Sequence, residues 1–245
     1  MQMVQMSAID KADTAWLLVS TVLVLLMTLP GVALFYAGLV RRKNVVNTLA
    51  SVFAVACVVT LTWFALGYSL AFSQGSSWLG GLARAGFAAM RLDGAAGTVS
   101  VSHLAPHVPE AVYALFQMAF AVITTCLIVG AVVERMRFAA LLLFAALWSV
   151  LVYAPVAHWV WEADGWLYKL GALDFAGGAV VHVNAGVAAL VCAAMLGRRQ
   201  GYGRQAFEPH SLGWTAIGTA LLLIGWFGFN AGSALTADGR AALAM

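Results

Sequence analysis

Residues 111–133 read AVYALFQMAFAVITTCLIVGAVV, without a single Asp, Glu, Lys or Arg. A helix needs about 20 mostly apolar residues to cross the hydrocarbon core of a membrane. Five other stretches share this character, so the sequence predicts six spans, at residues 14–40, 46–72, 110–133, 138–161, 178–197 and 211–235. The first is too long for a secretion signal and lacks a basic segment before it.

The composition of the whole chain supports a membrane protein. Hydrophobic residues make up 63% of the 245 residues and charged residues 9%, where a soluble domain has roughly 45–50% and about 25%. This excludes a soluble enzyme and a disordered chain. The net charge of +3 comes from short basic clusters between apolar runs, which does not indicate nucleic-acid binding. The sequence therefore predicts an all-α, polytopic transmembrane helical bundle.

The loops between the spans predict its orientation. Eight Lys and Arg lie on one side of the bundle (Arg41, Arg42, Lys43, Arg135, Arg137, Arg198, Arg199 and Arg204), and five lie on the other (Lys11, Arg84, Arg91, Lys169 and Arg240). The richer side is expected to face the cytoplasm, which places the N-terminus outside. Residues 73–109 are rich in Gly, Ser and Ala and predict an irregular external loop.

A short motif recurs in the first and sixth spans. Gly31-Val-Ala-Leu-Phe-Tyr-Ala-Gly38 and Gly225-Trp-Phe-Gly-Phe-Asn-Ala-Gly232 both fit G-x-x-x-F-x-A-G. Chance also explains four matches in a Gly- and Ala-rich chain. The two spans run in opposite directions, however, which favours an inverted repeat of five helices followed by the first helix of a second repeat. Because the chain stops inside a new apolar run, we expect the front portion of a longer protein.

Aromatic side chains on two spans are candidates for a site. Phe116 and Phe120 are four residues apart and therefore share a helix face, although the spacing alone favours ordinary lipid-facing or core aromatics. Trp226, Phe229 and Ser233 also fall on one face, and the hydroxyl is harder to explain as packing.

Two polar residues mark the fifth span. His182 is an ionisable group within it, and such groups are usually functional, although a neutral imidazole bonded to a carbonyl is also tolerated. Asp174 precedes the span and is expected to cap the helix rather than contact a ligand. A haem site would need a second deep histidine. A serine protease using Ser233 would need an oxyanion hole, which the surrounding residues do not predict. We therefore expect no enzyme.

Several motifs together resemble the ammonium transporter (Amt/Mep/Rh) family, from Lys11 onward. They are Phe35-Tyr-Ala-Gly-Leu-Val-Arg-Arg-Lys-Asn44, Glu134-Arg-Met-Arg-Phe138, Ala157-His-Trp-Val-Trp161, Asp174-Phe-Ala-Gly-Gly-Ala-Val-Val-His182 and Gly225-Trp-Phe-Gly-Phe-Asn-Ala-Gly-Ser233. The resemblance implies eleven spans in a plasma-membrane homotrimer, with one pore in each subunit and inverted repeats formed by spans one to five and six to ten.

The resemblance also implies roles for individual residues. Phe116, Trp161 and Ser233 match an outer site that recruits ammonium, and Phe120 and Phe229 match two stacked rings that close its mouth. His182 matches the first of two pore histidines, Trp226 a pore-lining residue, and Asp174 an acidic position that shapes the site indirectly. The second pore histidine belongs to a tenth span, which these 245 residues do not contain.

Three functions remain open at this point. The resemblance implies transport of ammonium or ammonia without a cofactor, with membrane lipid, other copies of the chain and a cytoplasmic PII-type nitrogen regulator as partners. The alternatives are an ammonium-sensing membrane module that signals through a partner, and a truncated fragment that does not conduct. The residues do not decide between electrogenic transport and ammonia conduction.

Overall fold

The computed structural model describes residues 2–245. Over these residues it contains six helical runs long and apolar enough to cross a membrane: α1 (Lys11–Leu39), α2 (Arg42–Phe72), α3 (Glu110–Val132), α4 (Phe138–Lys169), α5 (Gly178–Leu196) and α6 (Leu212–Ala231). The predicted number of spans and the all-helical bundle are confirmed. α6 ends four residues earlier than expected because the chain turns after Ala231, and α4 is interrupted after Trp161 by a turn before a short helix, Trp166–Lys169.

α3 forms the centre of the bundle. In its most apolar stretch 72% of the residues are buried, against 17% in α5 and 22% in α6. Both of those helices leave large apolar side chains exposed, including Leu190, Met195 and Leu223. The core is therefore built around α3, and α5 and α6 lie at its edge.

Five of the six runs contain a π-helical segment. These segments are Met27–Val32, Trp63–Gly67, Ser149–Tyr153, Gly178–Val183 and Phe227–Ala231, and α3 alone among the described spans is α-helical throughout. The first surrounds Pro30, which has no amide to donate. Single π turns inside α-helices often occur at functional sites, and two of these contain His182 and Phe229.

The expected irregular loop at 73–109 is wrong in part, because it contains strands. β1 (Gln2–Gln5), β2 (Leu92–Asp93), β3 (Thr98–Ser102) and β4 (Ala105–Pro109) form an antiparallel sheet in which β3 pairs with the other three. The alternating sequence Thr-Val-Ser-Val-Ser of β3 is a strand signal that composition alone obscured. The sheet joins the N-terminus to this loop at one end of the bundle.

Glu134 ties together the loops at the opposite end. Its Oε1 accepts hydrogen bonds from Arg41 Nε (3.1 Å) and Asn44 Nδ2 (2.5 Å), and its Oε2 accepts one from Arg199 (2.8 Å). The Phe207 ring lies 4.6 Å from each of the two guanidinium groups. The loops after α1, α3 and α5 therefore meet at one end, as alternating spans require.

This cluster predicts a pH dependence. Burial raises the pKa of Glu134, but the hydrogen bonds from Arg199, Asn44 and Arg41 outweigh it and hold the pKa at about 2. The pKa of Glu134 in the folded protein lies below its ordinary value. The ionised carboxylate therefore stabilises the fold at any pH above the ordinary value, and this stabilisation is lost as the pH falls towards about 2. We expect amides of residues 198–210 to be protected from hydrogen exchange at pH 7 and to lose protection on acidification. In Glu134→Gln the same amides should already exchange rapidly at pH 7. Wild-type protection of these amides in the variant would contradict a stabilising role for the Glu134 charge.

Candidate functional site

An aromatic column connects α3, α5 and α6. The rings of Phe120 and Phe229 are stacked with centroids 4.4 Å apart and planes inclined by 27°. Phe229 lies 5.7 Å from the His182 ring, which is itself stacked on Trp226 at 6.2 Å. The structure thus brings four of the predicted residues into contact. Both phenylalanines are 1% exposed, so the stacked pair is buried next to the imidazole.

A cavity of about 200 Å³ lies beside the phenylalanine pair, towards the end of the bundle that carries the β-sheet. Phe120, Trp161 and Ser233 line it, with the Trp161 ring perpendicular to Phe120 at 5.9 Å. Phe116 is not among the lining residues; its ring contacts the edge of Phe120 at 4.9 Å and lies against Gly232. Among the three residues expected to form the recruitment site, Trp161 and Ser233 meet in the cavity, while Phe116 lies behind Phe120.

Hydrogen bonds orient the two polar groups of the cavity. Ser233 Oγ donates to the carbonyl oxygen of Phe229 (2.8 Å), and the Trp161 indole N–H donates to the carbonyl oxygen of Asp174 (2.9 Å). Since both donors are engaged, the serine oxygen presents lone pairs and the indole presents its ring. The cavity therefore offers acceptors and aromatic surface, which suit a small cation that donates hydrogen bonds.

Asp174 caps the N-terminus of α5. Its Oδ1 accepts from the amides of Gly177 (2.5 Å) and Gly178 (2.9 Å), and its Oδ2 accepts from Ala179 (2.9 Å) and Val180 (2.8 Å). A carboxylate here satisfies amides that the helix leaves free and interacts favourably with the helix dipole. With its carbonyl oxygen bound to Trp161, Asp174 connects the start of α5 to the cavity wall.

His182 lies closer to the surface than the sequence suggested. It occupies the second turn of α5, and its side chain is exposed at the edge of the bundle. A Cβ added at neighbouring Gly178 or Gly186 would meet nothing within 4 Å. The face of α5 beside the ring is therefore open in these 245 residues.

Some buried polar residues escaped the sequence argument. His158 is fully buried, with Nδ1 at 2.9 Å from the carbonyl oxygen of Ala71 and Nε2 at 2.8 Å from that of Ser76. Glu162 is 1% exposed and pairs with His103 Nε2 at 2.7 Å. The position of Glu162 directly after Trp161, at the end of a predicted span, was a sequence signal for a polar residue near the site. Its partner His103 lies 59 residues away, so the spacing of residues could not predict the pair.

The rest of the cavity wall was also missed. It includes Leu104, Tyr113, Gln117, Phe175 and Leu235. Leu235 has a φ of 59°, a left-handed conformation that is strained for leucine; strained residues cluster at functional sites. As the last residue of the predicted span 211–235, Leu235 gave no sequence signal for such a turn.

Comparison with known proteins identifies the family. The model of the Ammonium Transporter Family matches residues 15–245. This chain belongs to the ammonium transporter family. The family is one of transporters and not of enzymes.

Relatives from distant organisms agree with this assignment. An ammonium transporter of Bacillus subtilis is 50% identical over 233 residues, covering 95% of this chain and 55% of its own. The crystal structure of Candida albicans Mep2 matches with a TM-score of 0.84 at 38% sequence identity. The match covers 98% of this chain and 52% of the Mep2 chain. The structure of a sensor Amt protein matches with a TM-score of 0.81 at 26% sequence identity. The match covers 95% of this chain and 57% of the sensor chain. The chain thus spans about half the length of the family members it matches.

Proposed function

We propose that this ammonium transporter family chain carries the outer part of a pathway for ammonium or ammonia. The cavity lined by Trp161, Ser233 and Phe120 above the stacked Phe120–Phe229 pair is the observation that supports the proposal. Aromatic faces attract a cation by about 0.5–2 kcal/mol each, depending on desolvation. The serine oxygen accepts a hydrogen bond from ammonium; potassium, of similar size, donates none.

The phenylalanine pair then acts as a gate. A charged ion between two buried rings would lose its water, and the attraction of the ring faces offsets only part of that cost, so its passage is strongly unfavourable. Loss of a proton removes most of that penalty, so ammonia passes more easily than ammonium. In the proposed sequence of events, the cavity recruits the cation and water in the cavity accepts its proton. The rings then separate for the ammonia. Beneath them His182 exchanges hydrogen bonds with the ammonia, or it accepts the proton from water at one ring nitrogen and releases one from the other.

The recruitment site is tested with Trp161→Leu and Ser233→Ala. Each removes one attraction for the cation, so we expect the KM for ammonium to rise by about threefold to tenfold. Uptake is measured in the complete encoded protein, in a strain without other ammonium transporters and at equal membrane levels. Trp159→Leu is the matched control, because the Trp159 indole N–H binds the Trp78 carbonyl oxygen away from the cavity. An unchanged KM in both test variants would refute the site.

We also propose the orientation that the basic residues predict and the assembly that the family resemblance implies. The N-terminus faces outward from the plasma membrane, and subunits built on inverted repeats assemble as homotrimers that a cytoplasmic PII-type regulator binds. The loops joined by Glu134 would face the cytoplasm, because they contain most of the basic residues.

Cysteine labelling checks this orientation. After replacement of Cys57, Cys126 and Cys192, we expect Lys11→Cys to react with an impermeant maleimide from outside intact cells. Lys43→Cys should react only after the cells are opened. Labelling of position 43 in intact cells would show that the orientation is opposite to the proposed one.

Sensing is a second candidate function. The match to a sensor Amt protein favours it, since that protein has the same fold over 95% of this chain. A sensor would bind ammonium in the cavity without carrying it across the membrane. Ammonium-dependent quenching of Trp161 fluorescence with no uptake would select sensing over transport.

A further inference from the structure

Gln117 is a cavity residue that no proposed role uses. It lies on α3 between Phe116 and Phe120, is 9% exposed, and lines the outer cavity. Its Oε1 is buried and has no hydrogen-bond partner within residues 2–245. Since buried carbonyl oxygens are almost always paired, this oxygen is available to accept a hydrogen bond from a molecule that enters the cavity.

The chemistry of the cavity defines what that ligand must offer. The Ser233 oxygen is an acceptor, because its proton is engaged by Phe229. The rings of Phe120 and Trp161 attract positive charge but contribute no further lone pair. Ammonium donates four hydrogen bonds, so Ser233 alone leaves most of its N–H groups without an oxygen. A carboxamide oxygen on α3 supplies a second acceptor, and an amide can rotate to turn its oxygen towards a cation.

We propose that Gln117 Oε1 accepts a hydrogen bond from ammonium in the outer cavity and thereby sets selectivity for ammonium over methylammonium. This inference rests on the proposed function. Methylammonium carries an apolar methyl group in place of one N–H, and that group gains nothing from a polar wall. A leucine at position 117 shifts the preference towards methylammonium, because it removes the acceptor and offers the methyl group an apolar contact of similar size.

The test is competition of ammonium against uptake of labelled methylammonium in the complete encoded protein. In Gln117→Leu we expect the inhibition constant of ammonium to rise by about tenfold, as for the loss of a hydrogen bond to a charged group. The KM of methylammonium should rise less, so the ratio of the two constants shifts towards methylammonium. Gln117→Glu keeps an acceptor in place and should preserve tight inhibition by ammonium.

Controls separate this role from folding and from the proposed function. Thr125→Val removes another buried polar atom of α3, whose hydroxyl donates to the Ala121 carbonyl oxygen, and should leave the ratio unchanged. Gln117→Met is the second variant if leucine lowers membrane levels. Equal shifts of both constants in Gln117→Leu and Gln117→Met, or none, would overturn the role of Gln117 while Trp161→Leu still impairs recruitment. Failure of the parent protein to take up methylammonium or ammonium would instead refute the proposed function.

Discussion

His182→Asp is expected to let potassium enter cells through the complete encoded protein, and His182→Asn to lower the ammonium-driven current by at least about tenfold. The imidazole lies 5.7 Å from Phe229 and 6.2 Å from Trp226, directly after the stacked pair. A carboxylate at this position offsets the penalty for a bare cation in apolar surroundings, so exclusion of potassium should fail. An asparagine keeps hydrogen bonding but exchanges no proton at physiological pH.

The measurement is current and potassium uptake at matched membrane levels. His210→Asn serves as the control, since His210 lies in the loop before α6 and its backbone amide donates to the carbonyl oxygen of Val40, directly after α1. If both His182 variants keep the parent current and still exclude potassium, His182 has a structural role only.

Gly225→Leu is expected to separate α6 from α1. A Cβ at this position would overlap the Cβ of Met27 and lie 2.8 Å from the Leu23 carbonyl oxygen. The Cβ positions at Gly228 and Gly232 similarly approach Leu23 and Ser20 to 2.6 Å, so the helices meet backbone to backbone. Small residues allow such close approach in membranes. We expect a loss of about 3 kcal/mol in the free energy of unfolding, at the upper end for overpacking.

Gly213→Leu is the matched control on the same helix. Its Cβ would meet only Ser211 Oγ, at 3.7 Å, so the stability should stay close to that of the parent chain. Unfolding is followed in detergent by circular dichroism over a series of denaturant concentrations. Equal stability of Gly225→Leu and Gly213→Leu would show that the contact between α1 and α6 is not tight.

The sequence was sufficient to predict the spans, because a membrane imposes their length and composition on each segment independently. It was not sufficient to predict burial, which depends on what neighbouring helices cover. His158 and His182 both follow apolar residues, yet two carbonyl oxygens from residues 71 and 76 enclose the first, while the second is exposed. The sequence motifs predicted Trp161, Ser233 and the two stacked phenylalanines as site residues. Gln117 and Leu235 were recognised as site residues only because they line the cavity in the structure.

The π-helical segments change how positions along these spans should be aligned with those of other proteins. A π turn is equivalent to an α-helix with one inserted residue. An alignment therefore assigns residues on both sides of the turn to the correct helix faces only if it treats that residue as an insertion. Trp226 and Ser233 lie on opposite sides of the segment Phe227–Ala231, and a count of 3.6 residues per turn misplaces one relative to the other. A one-residue gap within this segment therefore preserves both flanking faces, whereas the same gap within α3 would rotate Phe120 away from Phe229.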